Sequence, residues 1–112
     1  MITGIHAMFF TPGADALRPF IRDTLGIPAT DTGDGWLIFR APAGEIGCHP
    51  DESVRHDVSF TCDDIGATVE ELKSKGVEFT TEVKDYGYGP TTRFLMPGGV
   101  EVELYQPNYK LE

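Results

Sequence analysis

His56–Phe79, HDVSFTCDDIGATVEELKSKGVEF, reads as strand, turn, helix, turn, strand. Val58, Phe60 and Cys62 alternate with Asp57, Ser59 and Thr61, the period of two expected of a half-buried strand. Asp63 and Asp64 follow, and either can cap the start of a helix. Ile65, Val69 and Leu72 then recur at helical spacing until Gly76 stops the run, and Val77 and Phe79 begin a new strand.

The same plan occurs once before. His6 begins HAMFF, a helix-like run from Ala14 to Leu25 follows, and Gly26 stops it. His6 to His56 and Gly26 to Gly76 are both offsets of 50 positions, whereas Glu45 answers Glu101 at 56 and Pro50 answers Pro107 at 57. The growing offset implies a longer loop in the second half, and two copies make a duplicated module rather than a solenoid. One domain of 112 residues results, with module one at 1–50, a linker at 51–55 and module two at 56–110; residues 111–112 read as a tag remnant.

Modules of about 50 residues are marginal alone, so they are expected to share a sheet or to pair with a second chain. Nine basic against 18 acidic residues give a net charge of −9. That balance argues against nucleic acid or an anionic membrane as partner and suits solubility or a cationic ligand. No basic-then-apolar leader and no long apolar run is present, so a soluble, cytoplasmic protein is expected. Cys48 and Cys62 lack metal-type spacing and are expected to be small buried thiols.

Along the chain, Met1–Thr11 reads as a first strand, and Asp15–Leu25 as a helix with Leu17, Phe20, Ile21 and Leu25 on its apolar stripe and Pro19 near its first turn. Strands are expected at 36–39 and 45–49, then at 93–96 and 100–106 around the tight turn Pro97-Gly98-Gly99. Between them Lys84–Pro90, KDYGYGP, reads as an irregular loop, either a pocket edge or lid or a plain hairpin loop. In the last strand Val102 and Leu104 face one way, and Glu101, Glu103 and Tyr105 the other. The sum is an α+β fold of two tandem βαβββ modules. Their non-helix faces carry ionisable groups that are costly to bury unless paired or bound to metal.

ITGIHAMFF…LRPFIRDTLGI in the first half, with HDVSFTCDDI…VEELKSKGVEF and LMPGGVEVELYQP in the second, resembles the vicinal oxygen chelate superfamily. That superfamily includes glyoxalase I, bleomycin-resistance and fosfomycin-resistance proteins and extradiol dioxygenases. The resemblance implies a cup-shaped mixed sheet around a small-molecule site, completed in a homodimer. It also implies, in the metal-using members, ligands from the first strand, from the strand opening the second module and from the last strand. His6 matches the first position and Glu103 the last. At the second position His56 matches by repeat offset, but strand parity turns Asp57 into the cup.

Two functional expectations follow. One is a lyase or isomerase holding one divalent ion (Zn, Mn, Ni or Fe) through His6, His56 or Asp57, and Glu103, with Glu101 or Glu45 moving a proton. The other is a metal-free binding protein of the bleomycin-resistance kind, with a ligand pocket lined by Trp36, Phe39, Tyr86, Tyr88, Phe94 and Tyr105.

Overall fold

The computed structural model describes residues 7, 9, 11–40, 44, 52 and 57–110. His6, Glu45, Cys48 and His56 lie outside the described residues, as do the expected strand at 45–49 and most of the one at 1–11.

The fold is α+β, with two helical segments and two sheets among the described residues. In the first half, α1 (Ala14–Pro19) runs directly into a π-helical turn (Phe20–Thr24). The hairpin strands β1 (Ala29–Asp31) and β2 (Leu37–Phe39) follow and pair antiparallel. The second half supplies β3 (Ser59–Thr61), α2 (Ile65–Ser74), β4 (Lys84–Asp85), β5 (Pro90–Met96) and β6 (Val100–Tyr105). Its sheet runs in the order β3-β6-β5-β4, with β3 parallel to β6 and the other pairs antiparallel. A strand that leaves through a helix and returns parallel needs that crossover, whereas β5 and β6 join through the turn 97–99 alone.

Local chemistry accounts for the ends of α2. The Asp64 side chain accepts from the Ala67 amide at 3.0 Å, so Asp64 rather than Asp63 is the cap. At the other end the Val77 amide donates to Leu72 and the Gly76 amide to Lys73, both at 3.0 Å. This paired closure requires the left-handed backbone that Gly76 adopts at φ 87.

The first helix departs from the expected single run. Pro19 is the last residue of α1, not part of its first turn. It has no N–H to give the carbonyl four residues back, and its ring crowds that carbonyl. The chain widens into a π turn, with the Leu25 amide donating to Phe20 and the Ile27 amide to Ile21.

One apolar core serves both halves. Leu17 and Ile21 of the first join Ile65, Val69 and Leu72 of α2 against Phe94, Met96, Val102 and Leu104 of the sheet. Phe94 is the hub: Phe20, Phe60 and Phe79 all meet its ring within 6.5 Å. Thr92 is also buried, its hydroxyl satisfied by the Thr81 carbonyl at 2.9 Å. The free thiol of Cys62 is half-buried beside this core. Beyond the helices, Thr11 donates from its hydroxyl to the Gly98 carbonyl at 2.8 Å, and Gly13 packs so close to Gly98 that a methyl there would lie 2.6 Å from its Cα.

Two further expectations shift. Phe79 makes only an isolated bridge to Phe94 rather than opening a strand. The supposed irregular loop begins as β4 and ends in β5, because Thr91 and Thr92 extend that strand back to Pro90. Pro90 is tolerated at its first residue.

Candidate functional site

The face of the four-stranded sheet turned away from α2 is the polar one. Strand alternation puts Val102 and Leu104 into the core and Glu101, Glu103 and Tyr105 onto the opposite face. Pairing register then decides their neighbours. Ser59 lies opposite Glu103 on one side and Arg93 opposite it on the other, so the three form one row across β3, β6 and β5. Thr61, Tyr105 and Thr91 form the next row, and Leu95 lies opposite Glu101.

Glu103 sits at the centre. The Tyr88 hydroxyl donates to its two oxygens at 3.3 and 3.4 Å, the Ser59 hydroxyl donates at 3.4 Å, and Arg93 Nη1 lies 3.8 Å away. Arg93 makes its shorter bond to Glu101, Nε to Oε1 at 2.9 Å, and the Thr80 hydroxyl donates to the same oxygen at 2.9 Å. These two donors, Thr80 first, hold the Glu101 carboxyl below its ordinary pKa. Tyr88 meets Tyr105 edge to face, centroids 5.3 Å apart, and the Tyr105 and Tyr109 hydroxyls are 2.9 Å apart. Desolvation of Tyr88, with the Glu103 charge beside it, raises the pKa of its phenol, although the Thr91 hydroxyl works the other way.

Of the aromatic candidates, Tyr88 and Tyr105 are brought together beside Glu103. Tyr86 is exposed on the same loop, its ring under the Lys84 ammonium at 5.4 Å. Trp36 stands at the β1–β2 hairpin with the Arg18 guanidinium 4.9 Å above its ring. Phe39 packs against the core. Phe94, 1% exposed, lies in the core on the helix side and does not line the polar face. The reason is parity: Phe94 alternates with Arg93, and only Arg93 shares a face with Glu103. Asp57 is exposed and follows the parity of Ser59 and Thr61.

Sequence reasoning overlooked Arg93, Ser59 and Tyr109. Arg93 was within reach: counting back from the turn 97–99 along both arms sets it opposite Glu103. Ser59 and Tyr109 required the parallel register and the path of the chain after β6.

A divalent ion is the cofactor the metal-using superfamily members lead one to test here. Among the described residues no three His, Cys, Asp or Glu side chains converge to hold a metal ion. The Glu103 carboxylate has a guanidinium within 4 Å and two hydroxyls donating to it. A divalent ion needs several converging ligands, and Glu103 offers one carboxylate, part of whose lone-pair capacity already accepts two hydroxyls. The described groups do not fit a metal centre.

A shallow groove of about 320 Å³ lies elsewhere, between the π turn, the end of α2 and the β5–β6 turn, and does not include Glu103.

The sequence matches the Glyoxalase/Bleomycin resistance protein/Dioxygenase superfamily over residues 5–104. No curated protein sequence matches it. Among solved structures, TnmS3, an antibiotic binding protein from Streptomyces sp. CB03234, is similar with a TM-score of 0.67 at 22% identity, over 96% of this chain and 100% of that one. A superfamily member from Sphaerobacter thermophilus gives 0.64 at 21% identity, over 94% and 98%. Lactoylglutathione lyase from Agrobacterium tumefaciens gives 0.62 at 14% identity, over 88% of each. At such identities the likeness is one of fold.

Proposed function

The chain belongs to the glyoxalase/bleomycin resistance protein/dioxygenase superfamily, and we propose that within it this protein is a metal-free binder of small aromatic molecules carrying a positive charge or a strong hydrogen-bond donor. The observation that carries the reading is the environment of Glu103. Its carboxylate is oriented by Tyr88 and Ser59 and stands beside the paired rings of Tyr88 and Tyr105. Tyrosine rings offer apolar area and an electron-rich face to a flat or cationic guest. The carboxylate would accept a charge-assisted hydrogen bond from the guest's N–H. Among the described residues of this face, Asp57, Glu101 and Glu103 outnumber the guanidinium of Arg93, which favours a cation over an anion. The hydroxyls of Thr61 and Thr91 flank the tyrosines without adding charge.

The likeness to an antibiotic binding protein over its whole length is consistent with this reading. The competing one, a lyase or isomerase with His6, His56 or Asp57, and Glu103 on a divalent ion and Glu45 or Glu101 moving the proton, depends largely on residues outside those described.

The test is a fluorescence titration with 9-aminoacridine, a planar monocation. Wild-type protein is expected to bind it at micromolar to sub-millimolar concentration, unchanged by EDTA. Glu103→Gln is expected to weaken binding about tenfold or more, the loss of a hydrogen bond to a charged group being worth about 1.5–3 kcal/mol. No binding by the wild type, or equal binding by Glu103→Gln, would overturn the proposal. One divalent ion per chain, lost in Glu103→Gln, would replace it with the metal-dependent reading.

A further inference from the structure

Tyr88 reaches Glu103 from a loop that is gripped on both sides. From within, the Asp85 carboxylate accepts from the Gly87 amide at 2.7 Å and the Gly89 amide at 3.3 Å. From outside, the segment following β6 lies along it. Asn108 Nδ2 donates to the Gly87 carbonyl at 3.0 Å, the Asn108 amide donates to the Tyr88 carbonyl at 3.1 Å, and the Gln106 amide donates to Pro90 at 3.0 Å. Gly89 lies directly beneath: at φ 130 it is buried, and a methyl there would collide with the Gln106 carbonyl oxygen. The segment therefore closes on the loop at van der Waals contact. Beyond it, Tyr109 meets the hydroxyl of Tyr105, the ring that faces Tyr88.

We propose that Asn108 is a positioning residue of the binding site: by holding the main chain of Gly87 and Tyr88, it sets the Tyr88 hydroxyl on Glu103 and presents the two tyrosine rings preformed to the ligand. The inference rests on the binding reading of that site. Its physical basis is preorganisation. A loop fixed before the ligand arrives loses little conformational freedom on binding, whereas a loose one must be ordered at the expense of affinity. Asn108 touches neither Glu103 nor the tyrosine rings in any contact described above, so its effect must pass through Tyr88.

The decisive variant is Asn108→Leu, which removes the donor to the Gly87 carbonyl without adding charge, with Asn108→Ala as the smaller partner should the first fold poorly. Two measurements separate this inference from the function it rests on. The first needs no ligand: the phenol of Tyr88 is titrated by NMR in protein with 13C-labelled tyrosine rings. Desolvation holds that phenol above its ordinary range, with Thr91, Glu103 and Tyr86 as its other influences. Releasing the loop should rehydrate the ring and bring its midpoint down toward the ordinary tyrosine value. The second is 9-aminoacridine binding, expected to weaken about fivefold in Asn108→Leu and by less than twofold when the same change is made on a Tyr88→Phe background. An unmoved Tyr88 midpoint in both variants overturns the inference, as does an equal loss of affinity with and without the Tyr88 hydroxyl. If the wild type does not bind the probe, the functional reading falls and the Tyr88 titration still decides whether Asn108 positions the loop.

Discussion

Arg93 stands between two carboxylates of the neighbouring strand and divides itself unequally. Its Nε bonds Glu101 at 2.9 Å, and its outer nitrogen stays 3.8 Å from Glu103. The short contact is exposed and of modest energy, because solvent and salt screen surface ion pairs. Glu101 is thus the close partner of Arg93, while Glu103 accepts from the hydroxyls of Tyr88 and Ser59. The pH behaviour of Glu101 follows. Its folded pKa is depressed below the ordinary value of 4.5, so the stabilisation is fully present above that value and is lost as pH falls through the folded pKa. Thermal melts of wild type and Glu101→Gln should therefore differ at pH 6, with the wild type higher, and converge as the pH is lowered from 4.5 toward 3. A gap that persists at pH 3 would show that the carboxylate contributes nothing titratable.

At the scale of elements, α2 carries its own start and stop signals, and α1 carries a built-in interruption. Asp64 satisfies one of the free amides at the start of α2. Replacing it with alanine should cost about 1 kcal/mol and lower Tm by about 4 °C for a domain of this size. The helix remains in place because Ile65, Val69 and Leu72 are still buried. A melt of Asp64→Ala indistinguishable from wild type would mean that water or Asp63 substitutes for the cap. The π turn after Pro19 has a packing consequence. It carries Ile21 into the core and sets Phe20 against Phe94 at 6.5 Å between centroids. The proline's missing hydrogen bond is thus located at the junction where the first half meets the second.

For the molecule as a whole, the radius of gyration is 14.8 Å, where a compact chain of this length is expected near 13 Å. Extents of 43 × 41 × 30 Å describe a broad, thin body. The sheet face away from the core carries Glu101, Glu103 and Tyr105 on β6. A homodimer in which a partner chain faces that surface is the expected state. Analytical ultracentrifugation at micromolar concentration should then return twice the 12.3 kDa chain mass, and a single-chain mass would contradict it. Among the described residues no helix is long and apolar enough to cross a membrane.

What the sequence determined by itself is what depends on neighbours along the chain. The alternation Glu101-Val102-Glu103-Leu104-Tyr105 fixed which side chains leave the core, and the Asp63-Asp64 pair and Gly76 bounded α2, because these are properties of a single strand or a single helix. The β5–β6 hairpin was legible for the same reason, through the Pro97-Gly98-Gly99 turn, whereas the order β3-β6-β5-β4 was not. Tertiary structure alone decided which groups meet. Phe94 and Tyr88 are both aromatic residues near glycine-rich turns, yet one is the hub of the core and the other faces a carboxylate. Strand parity assigns Phe94 and a clamped loop assigns Tyr88, and the grip of Asn108 on that loop joins positions 21 residues apart. Cross-strand register and loop path are set by the packing of the whole chain, so the Ser59-Glu103-Arg93 row and its tyrosine neighbours emerge only when the sheet is assembled.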